Sequence, residues 1–126
     1  SAGEMMNVPT DQINTPTYNR DLADATKLLV EAGASGVVNV GGSEVLGRLA
    51  FAQVAVSALG GKVGTLDAKL LNGVTTSNAG QAAKRPLNSG LTLEKCQSLI
   101  PGWKPRSVKD AIAHWLANPR GKPLGQ

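Results

Sequence analysis

Glycines at positions 33 and 36, 41 and 42, and 60 and 61 cut the first half of this chain into short pieces. This punctuation limits the architecture more than any other feature, because glycine enters the backbone conformations that end helices and strands without steric penalty. Between the brackets, Arg20 to Ala32 places Leu22, Ala25, Leu28, Leu29 and Ala32 at three- and four-residue steps, the spacing of one helix face, and Gly33 and Gly36 supply its stop. Val37, Val38 and Val40 form a β-branched run too short for a helix and apolar enough for a buried parallel strand. Ser43 or Glu44 then opens a second helix running to Leu59. Its Leu46, Leu49, Ala50, Ala52, Val54, Ala55 and Ala58 give a stripe broad enough to pack on more than one side. A strand between two helices has α/β character, although one strand makes no sheet.

The rest of the chain is read the same way. Glu4 to Gln12, with Met5, Met6 and Val8 before Pro9, predicts a short, irregular edge strand. Pro16 forces an extended approach to the first helix, and Asn19 is suited to cap it. Val63 to Leu71 predicts a strand or a short helical turn, and the Asn, Gly, Ser and Thr of Asn72 to Gly80 predict a loop. Thr92 caps a short helix to about Ile100, which Pro101 and Gly102 break, and Trp103 follows as an anchor. Ser107 and Asp110 have the spacing of a capping box. They open a final helix with Val108, Ala111, Ile112, Trp115 and Leu116 on its inner face, ended by Asn118 and Pro119. The tail, residues 121–126, is expected to be flexible.

With 126 residues the chain holds one ordinary domain, placed over residues 1–120. Aromatic residues are 3% of the total, so small aliphatic side chains are expected to build the core. The single cysteine, Cys96, excludes an internal disulfide and a multi-cysteine zinc site; it fits a reducing compartment and inert packing. No apolar run approaches the roughly 20 residues that span a bilayer, and the start lacks a secretory pattern, so a soluble, cytoplasmic chain is expected. Because it opens on Ser1 instead of Met, a cloning scar or the cut end of a longer protein is expected there. A net charge of +4 permits an anionic ligand. The basic residues form no stripe and stacking aromatics are scarce, which disfavours nucleic acid as the partner.

No catalytic centre stands out. The dinucleotide fingerprint needs Gly-x-Gly-x-x-Gly directly between a strand and a helix, and the glycines here do not match it. An acidic Glu44 at the expected helix opening would repel phosphate, so the glycines are assigned to turns. Tyr18 is followed four positions later by Leu22, not by lysine, and His114 lies at the edge of an apolar face as an ordinary boundary residue. Polar signals gather in two places. Asp11, Gln12, Thr15, Thr17 and Tyr18 precede the first helix, and Arg85 with Pro86, Asn88 and Ser89 presents a guanidinium able to fork onto phosphate. Spacing alone favours caps and a surface arginine.

Three blocks carry a family resemblance. Asp11-Gln12, then Pro16-Thr17, then Asp21-Leu22-Ala23 form the first; Gly36 to Gly42 with Arg48 and Phe51-Ala52 the second; Arg85-Pro86 with Asn88-Ser89, Lys95 and Gly102-Trp103-Lys104-Pro105 the third. Together they resemble the C-terminal half of the extended short-chain dehydrogenase/reductases, most closely the dTDP-4-dehydrorhamnose reductase family. The resemblance implies a small α/β substrate-binding domain, mainly helical with a few short strands, without the Rossmann cofactor half and its Tyr-x-x-x-Lys pair. It implies a nucleotide-sugar ligand, with NADPH or NADH used by the complete enzyme but not bound by this chain alone. Asp11, Gln12, Thr17 and Arg85 become the candidate substrate contacts, Arg85 facing the diphosphate, while Asp21 caps or braces its helix and Trp103 packs. Gly47 departs from the family, which commonly has serine there; the departure weakens a local bond or cap. The alternative is a non-catalytic accessory or regulatory module of the same origin. The apolar faces left uncovered without the cofactor half imply a homo-oligomer.

Overall fold

The computed structural model describes residues 3–60 and 67–118. In chain order the elements are β1 (Met6–Pro9), β2 (Ile13–Asn14), α1 (Asn19–Glu31), β3 (Leu46–Gly47), α2 (Arg48–Leu59), β4 (Leu71–Val74), β5 (Asn88–Ser89), α3 (Glu94–Leu99) and α4 (Val108–Ala117). Short 3-10 turns, Ala68–Leu70 and Thr76–Asn78, flank β4. This is the expected small α/β domain with helices dominant. β1 pairs in parallel with β4, Met6 opposite Leu71 and Pro9 opposite Val74. β2 lies between an antiparallel β3 and a parallel β5. Pro9 fits at the end of β1 because the next ladder donor is the Thr10 N–H, bonded to the Val74 carbonyl at 2.8 Å.

The first helix ends as its glycines direct. The Gly33 N–H bonds to the Val30 carbonyl and the Ala34 N–H to the Leu29 carbonyl, the paired closure in which the residue after the helix turns left-handed; Gly33 has φ +66°. Asn19 is the first helical residue instead of the cap, and the extended Tyr18 before it makes no side-chain cap bond. Thr92 likewise caps nothing: α3 begins at Glu94 after Leu93. At α4 the Ser107 cap of the expected box forms, with the Asp110 N–H donating to Ser107 Oγ at 3.1 Å, while the Asp110 carboxylate accepts from the Ser107 hydroxyl at 2.7 Å instead of from the Ser107 N–H.

Three other expectations are corrected. Val37 to Val40 forms no ladder among the described residues: Val38 and Val40 pack against the core while Val37 stays 83% exposed. The Val37 carbonyl is satisfied by Lys95 Nζ at 2.6 Å and has no neighbouring strand. The loop expected from Asn72 begins instead inside β4. Gly73 is needed there because a Cβ would lie 2.8 Å from Thr10 Cγ2 and 3.0 Å from Leu49 Cδ2. Finally, α2 starts at Arg48, not near Ser43. Leu46 and Gly47 pair with β2, and Glu44 Oε2 accepts the Val108 N–H at 2.6 Å, capping α4 from 64 residues away. The expected flexible tail, residues 121–126, and residues 63–66 of the strand-or-turn expectation lie outside the described residues, while the rest of that expectation is met by the short 3-10 turn Ala68–Leu70 leading into β4.

The core joins α1, α3 and the loop after it: Ala25, Cys96, Ile100 and Trp103 are buried, with Leu29, Val38, Val40 and Leu93 against them. Trp103 is the anchor expected, and the thiol of Cys96 is pushed up in pKa by burial. On α1 the inward stripe is Asp21, Ala25 and Leu29; Leu22 and Leu28 remain 43% and 37% exposed, so the helix is less covered than its pattern predicts. Asp21 tolerates burial because Arg106 meets it with both its backbone N–H, at 2.8 Å, and its guanidinium. α2 packs against α4 on one side and β1 and β4 on another, as its broad stripe requires.

Candidate functional site

The Asp11-Gln12 pair leaves β1 and is fixed at once by the turn after β4. Asp11 Oδ1 accepts both the Thr76 N–H, at 2.9 Å, and the Thr76 hydroxyl, at 2.6 Å. The hydroxyl bond is the main reason its carboxyl is held below the usual carboxylate range, against a smaller opposing effect of burial. Gln12 is 4% exposed and every polar group of its side chain is engaged. Its Nε2 donates to Thr76 Oγ1 at 3.2 Å and to Gln81 Oε1 at 2.9 Å, and its Oε1 accepts from Arg48 Nη1 at 3.0 Å.

Two cavities meet along β2. The larger, about 740 Å³, is lined by Thr17, Tyr18, Phe51, Arg106 and Trp115 among others. It gathers three of the chain's four aromatic residues, and in so aromatic-poor a chain that concentration marks the wall as suited to an apolar or planar group. Tyr18 Oη and His114 Nδ1 share a hydrogen bond of 3.1 Å behind this wall, and the Arg106 guanidinium lies 5.8 Å from the Tyr18 ring centroid. The smaller cavity, about 520 Å³, is lined by Gln12, Asn14, Arg48, Gln81, Arg85 and Ser89 among others, and by no carboxylate. Asn14 and Arg48 line both.

The structure therefore brings Gln12 and Arg85 to one cavity and places Thr17 in the other, with the Thr17 hydroxyl bonded to the Thr15 carbonyl at 3.0 Å. Asp11 lines neither and is linked only to the smaller one, through Thr76, whose hydroxyl accepts from Gln12. Arg85 is exposed, and among the described residues it has no hydrogen-bond or ion-pair partner. Sequence reasoning missed Thr76, Gln81 and Arg106, and noted Arg48 only as part of a block. The one local signal for Arg48 is a cation in the first turn of a helix, where the free N–H groups disfavour positive charge.

Gly41 and Gly42 do not offer a dinucleotide cradle. A pyrophosphate cradle needs bare glycine backbone open to the ligand at a helix start. Here Gly41 and Gly42 are buried against their own chain: a Cβ on Gly41 would come 2.9 Å from Thr15 Cγ2, and one on Gly42 would collide with the Pro16 carbonyl oxygen. These glycines serve close approach, not the turn assigned to them, since neither has positive φ. Among the described residues no cluster of His, Cys, Asp and Glu is arranged to hold a metal ion, and no helix is long and apolar enough to cross a membrane. One protein-family model, described as RmlD substrate binding domain, matches residues 1–120. No curated protein matches the chain.

Proposed function

The chain belongs to the RmlD substrate-binding domain family, and from that premise we propose that it is the nucleotide-sugar-binding portion of an NAD(P)H-dependent reductase resembling dTDP-4-dehydrorhamnose reductase. The observation that carries the reading is Arg85: a guanidinium with no partner among the described residues, on the wall of a cavity of about 520 Å³ that no described carboxylate lines. A planar fork of N–H donors matches diphosphate oxygens, and an unneutralised cation facing a concave wall favours an anion there. The aromatic-lined cavity next to it has the size and apolar character to take the organic part of the same ligand, with Thr17 at its edge.

In this reading hydride transfer is not the work of these residues. The 126 residues contain neither a Gly-x-Gly-x-x-Gly loop nor a Tyr-x-x-x-Lys pair, so NADPH or NADH and the catalytic pair belong to a cofactor-binding portion against which this one closes. A single thiol, buried at Cys96, suits a reducing compartment such as the cytoplasm. Titration calorimetry with dTDP and with a dTDP-hexose tests the proposal. Both are expected to bind, and Arg85→Gln is expected to weaken them by about tenfold or more, the loss of a charge-assisted contact. Absence of binding by the unaltered chain, or equal binding by Arg85→Gln, would overturn the reading. So would NADPH oxidation by this chain alone with the 4-keto sugar nucleotide.

A further inference from the structure

We propose that Arg48 is a second anion-binding residue of the cavity that holds Arg85, and that Gln12 is the positioning residue that aims it, so that a diphosphate linkage lies between two guanidinium groups. The proposal rests on the reading of that cavity as the anionic end of the ligand site and adds who grips the ligand and how.

Arg48 occupies a position that local physics disfavours. It is the first residue of α2, where unpaired N–H groups carry partial positive charge, and the only ion pairs among the described residues are Lys27 with Glu31 and Arg106 with Asp21. It is nonetheless held in place by a buried group. Its Nη1 donates to Gln12 Oε1 at 3.0 Å, and its own backbone N–H donates to the Gln12 carbonyl, also at 3.0 Å. One side-chain N–H of five is thereby used; the others remain for a ligand at the boundary of the two cavities.

The Gln12 amide cannot turn round. The Thr76 hydroxyl spends its single proton on Asp11, at 2.6 Å, so its oxygen is left to accept from Gln12 Nε2, and Gln81 Oε1 takes the other Nε2 proton. With both donors committed, only the amide oxygen can face Arg48. Asp11, Thr76, Gln12 and Arg48 thus form a chain of fixed polarity running from a carboxylate to a guanidinium. Gln12 has no N–H left for a ligand and acts through Arg48.

Inorganic pyrophosphate is the probe, titrated calorimetrically into the unaltered chain and into Arg48→Gln, Arg48→Lys, Arg85→Gln, Gln12→Leu and the Gln12→Leu/Arg48→Gln pair, with thermal melting recorded without ligand. Arg48→Gln should weaken pyrophosphate by about tenfold or more, and Arg48→Lys by less, because ammonium keeps the charge and loses the fork. Gln12→Leu should weaken binding when Arg48 is present and add nothing when it is absent, the non-additivity of residues acting as one unit. A residue that only supports the fold would shift melting in both backgrounds. If Gln12→Leu does not fold, Arg48→Gln and Arg48→Lys, at an exposed position, carry the test. Arg48→Gln binding within about twofold of the unaltered chain while Arg85→Gln loses tenfold overturns this proposal alone. Binding unaffected by either overturns the site reading, and additive losses from Gln12→Leu and Arg48→Gln overturn the positioning role.

Discussion

Gly42 is the most demanding position in the described chain, and replacing it with alanine isolates one cause. The residue does not have positive φ, so alanine suffers no backbone strain there. The obstacle is steric: the new methyl falls on the Pro16 carbonyl oxygen, 3.1 Å from the Pro16 carbonyl carbon and 3.8 Å from Thr17 Cα. Backbone atoms cannot rotate aside as a side chain would, so the two segments must part. Parting them strains the bonds that close the same corner, from the Leu91 N–H to Thr15 Oγ1 at 2.8 Å and from Ser43 Oγ to the Arg106 carbonyl at 3.1 Å. Overpacking alone costs about 1–3 kcal/mol, and each weakened hydrogen bond about 1 kcal/mol at most. The expected loss is about 3–4 kcal/mol, which for a chain of this size lowers Tm by roughly 12–16 °C.

Two companion variants grade the effect. At Gly41 the methyl meets the Thr15 Cγ2 methyl at 2.9 Å, a side-chain atom, but one whose rotamer is held by the Leu91 bond, so alanine there should cost about 1–2 kcal/mol. At Gly47 nothing lies nearer than 3.9 Å, φ is −67°, and the residue is the N-cap of α2 with no side-chain cap bond. Serine at Gly47 should therefore stabilise by about 0.5–1 kcal/mol, through a new cap and a less flexible unfolded chain. Urea unfolding of all three checks the order. A Gly42→Ala protein melting within about 2 °C of the unaltered chain would refute the close-approach argument.

Asp11 sets an acid limit: a carboxyl whose pKa is lowered in the fold contributes stability above its ordinary value of 3.8 and loses it as pH falls through the lowered value. Thr76→Val removes the main cause, so the Tm advantage of the unaltered chain over this variant should be larger at neutral pH than in acid; a constant gap in pH-dependent melting contradicts this. Asp21→Asn should cost about 2 kcal/mol in urea unfolding, less than a fully buried pair because the Arg106 side chain is 34% exposed, and a cost below about 0.5 kcal/mol would show that the brace is idle. The groove of about 510 Å³ lined by Leu22, Leu29, Val30, Val38 and Leu91 leaves apolar surface uncovered, so light scattering should detect self-association, and a clean monomer at high concentration would contradict it.

What the sequence made legible is what neighbouring residues decide. The α1 stop at Gly33, the Ser107 cap and the packing of Trp103 each depend on a few adjacent positions, and all are found. What it hid depends on distant partners. Val37 to Val40 has the composition of a strand, but a strand also needs a neighbour, and Lys95 answers the Val37 carbonyl instead. Asn72-Gly73 has the composition of a loop, yet the segment pairs with β1, and the Thr10 and Leu49 side chains come so close to Gly73 that a larger residue would have to displace them. The uneven coverage of α1 follows from Asp21, whose inward turn is decided by Arg106, 85 residues away.

The site divides the same way, and charge at helix ends shows where a local signal was available. The pattern puts the start of α2 at Ser43 or Glu44; Glu44 caps α4 instead, where a negative group complements exposed N–H groups. The true first residue of α2 is Arg48, of the wrong sign for that place. Thr17, Gln12 and Arg85, which line the two cavities, sit in motifs, whereas Thr76 and Gln81 are tied in only through bonds to Asp11 and Gln12 that span 64 to 69 residues. Arg48 lies between these cases. A cation at a helix start conflicts with its own element, and such a conflict persists in a folded chain when something distant compensates it. The Gln12 amide is that compensation on the protein side, and it accounts for one of five guanidinium N–H groups. Arg48 also lines a cavity without a carboxylate, so an anion such as pyrophosphate is the partner that the proposed titrations expect to supply the rest of the compensation.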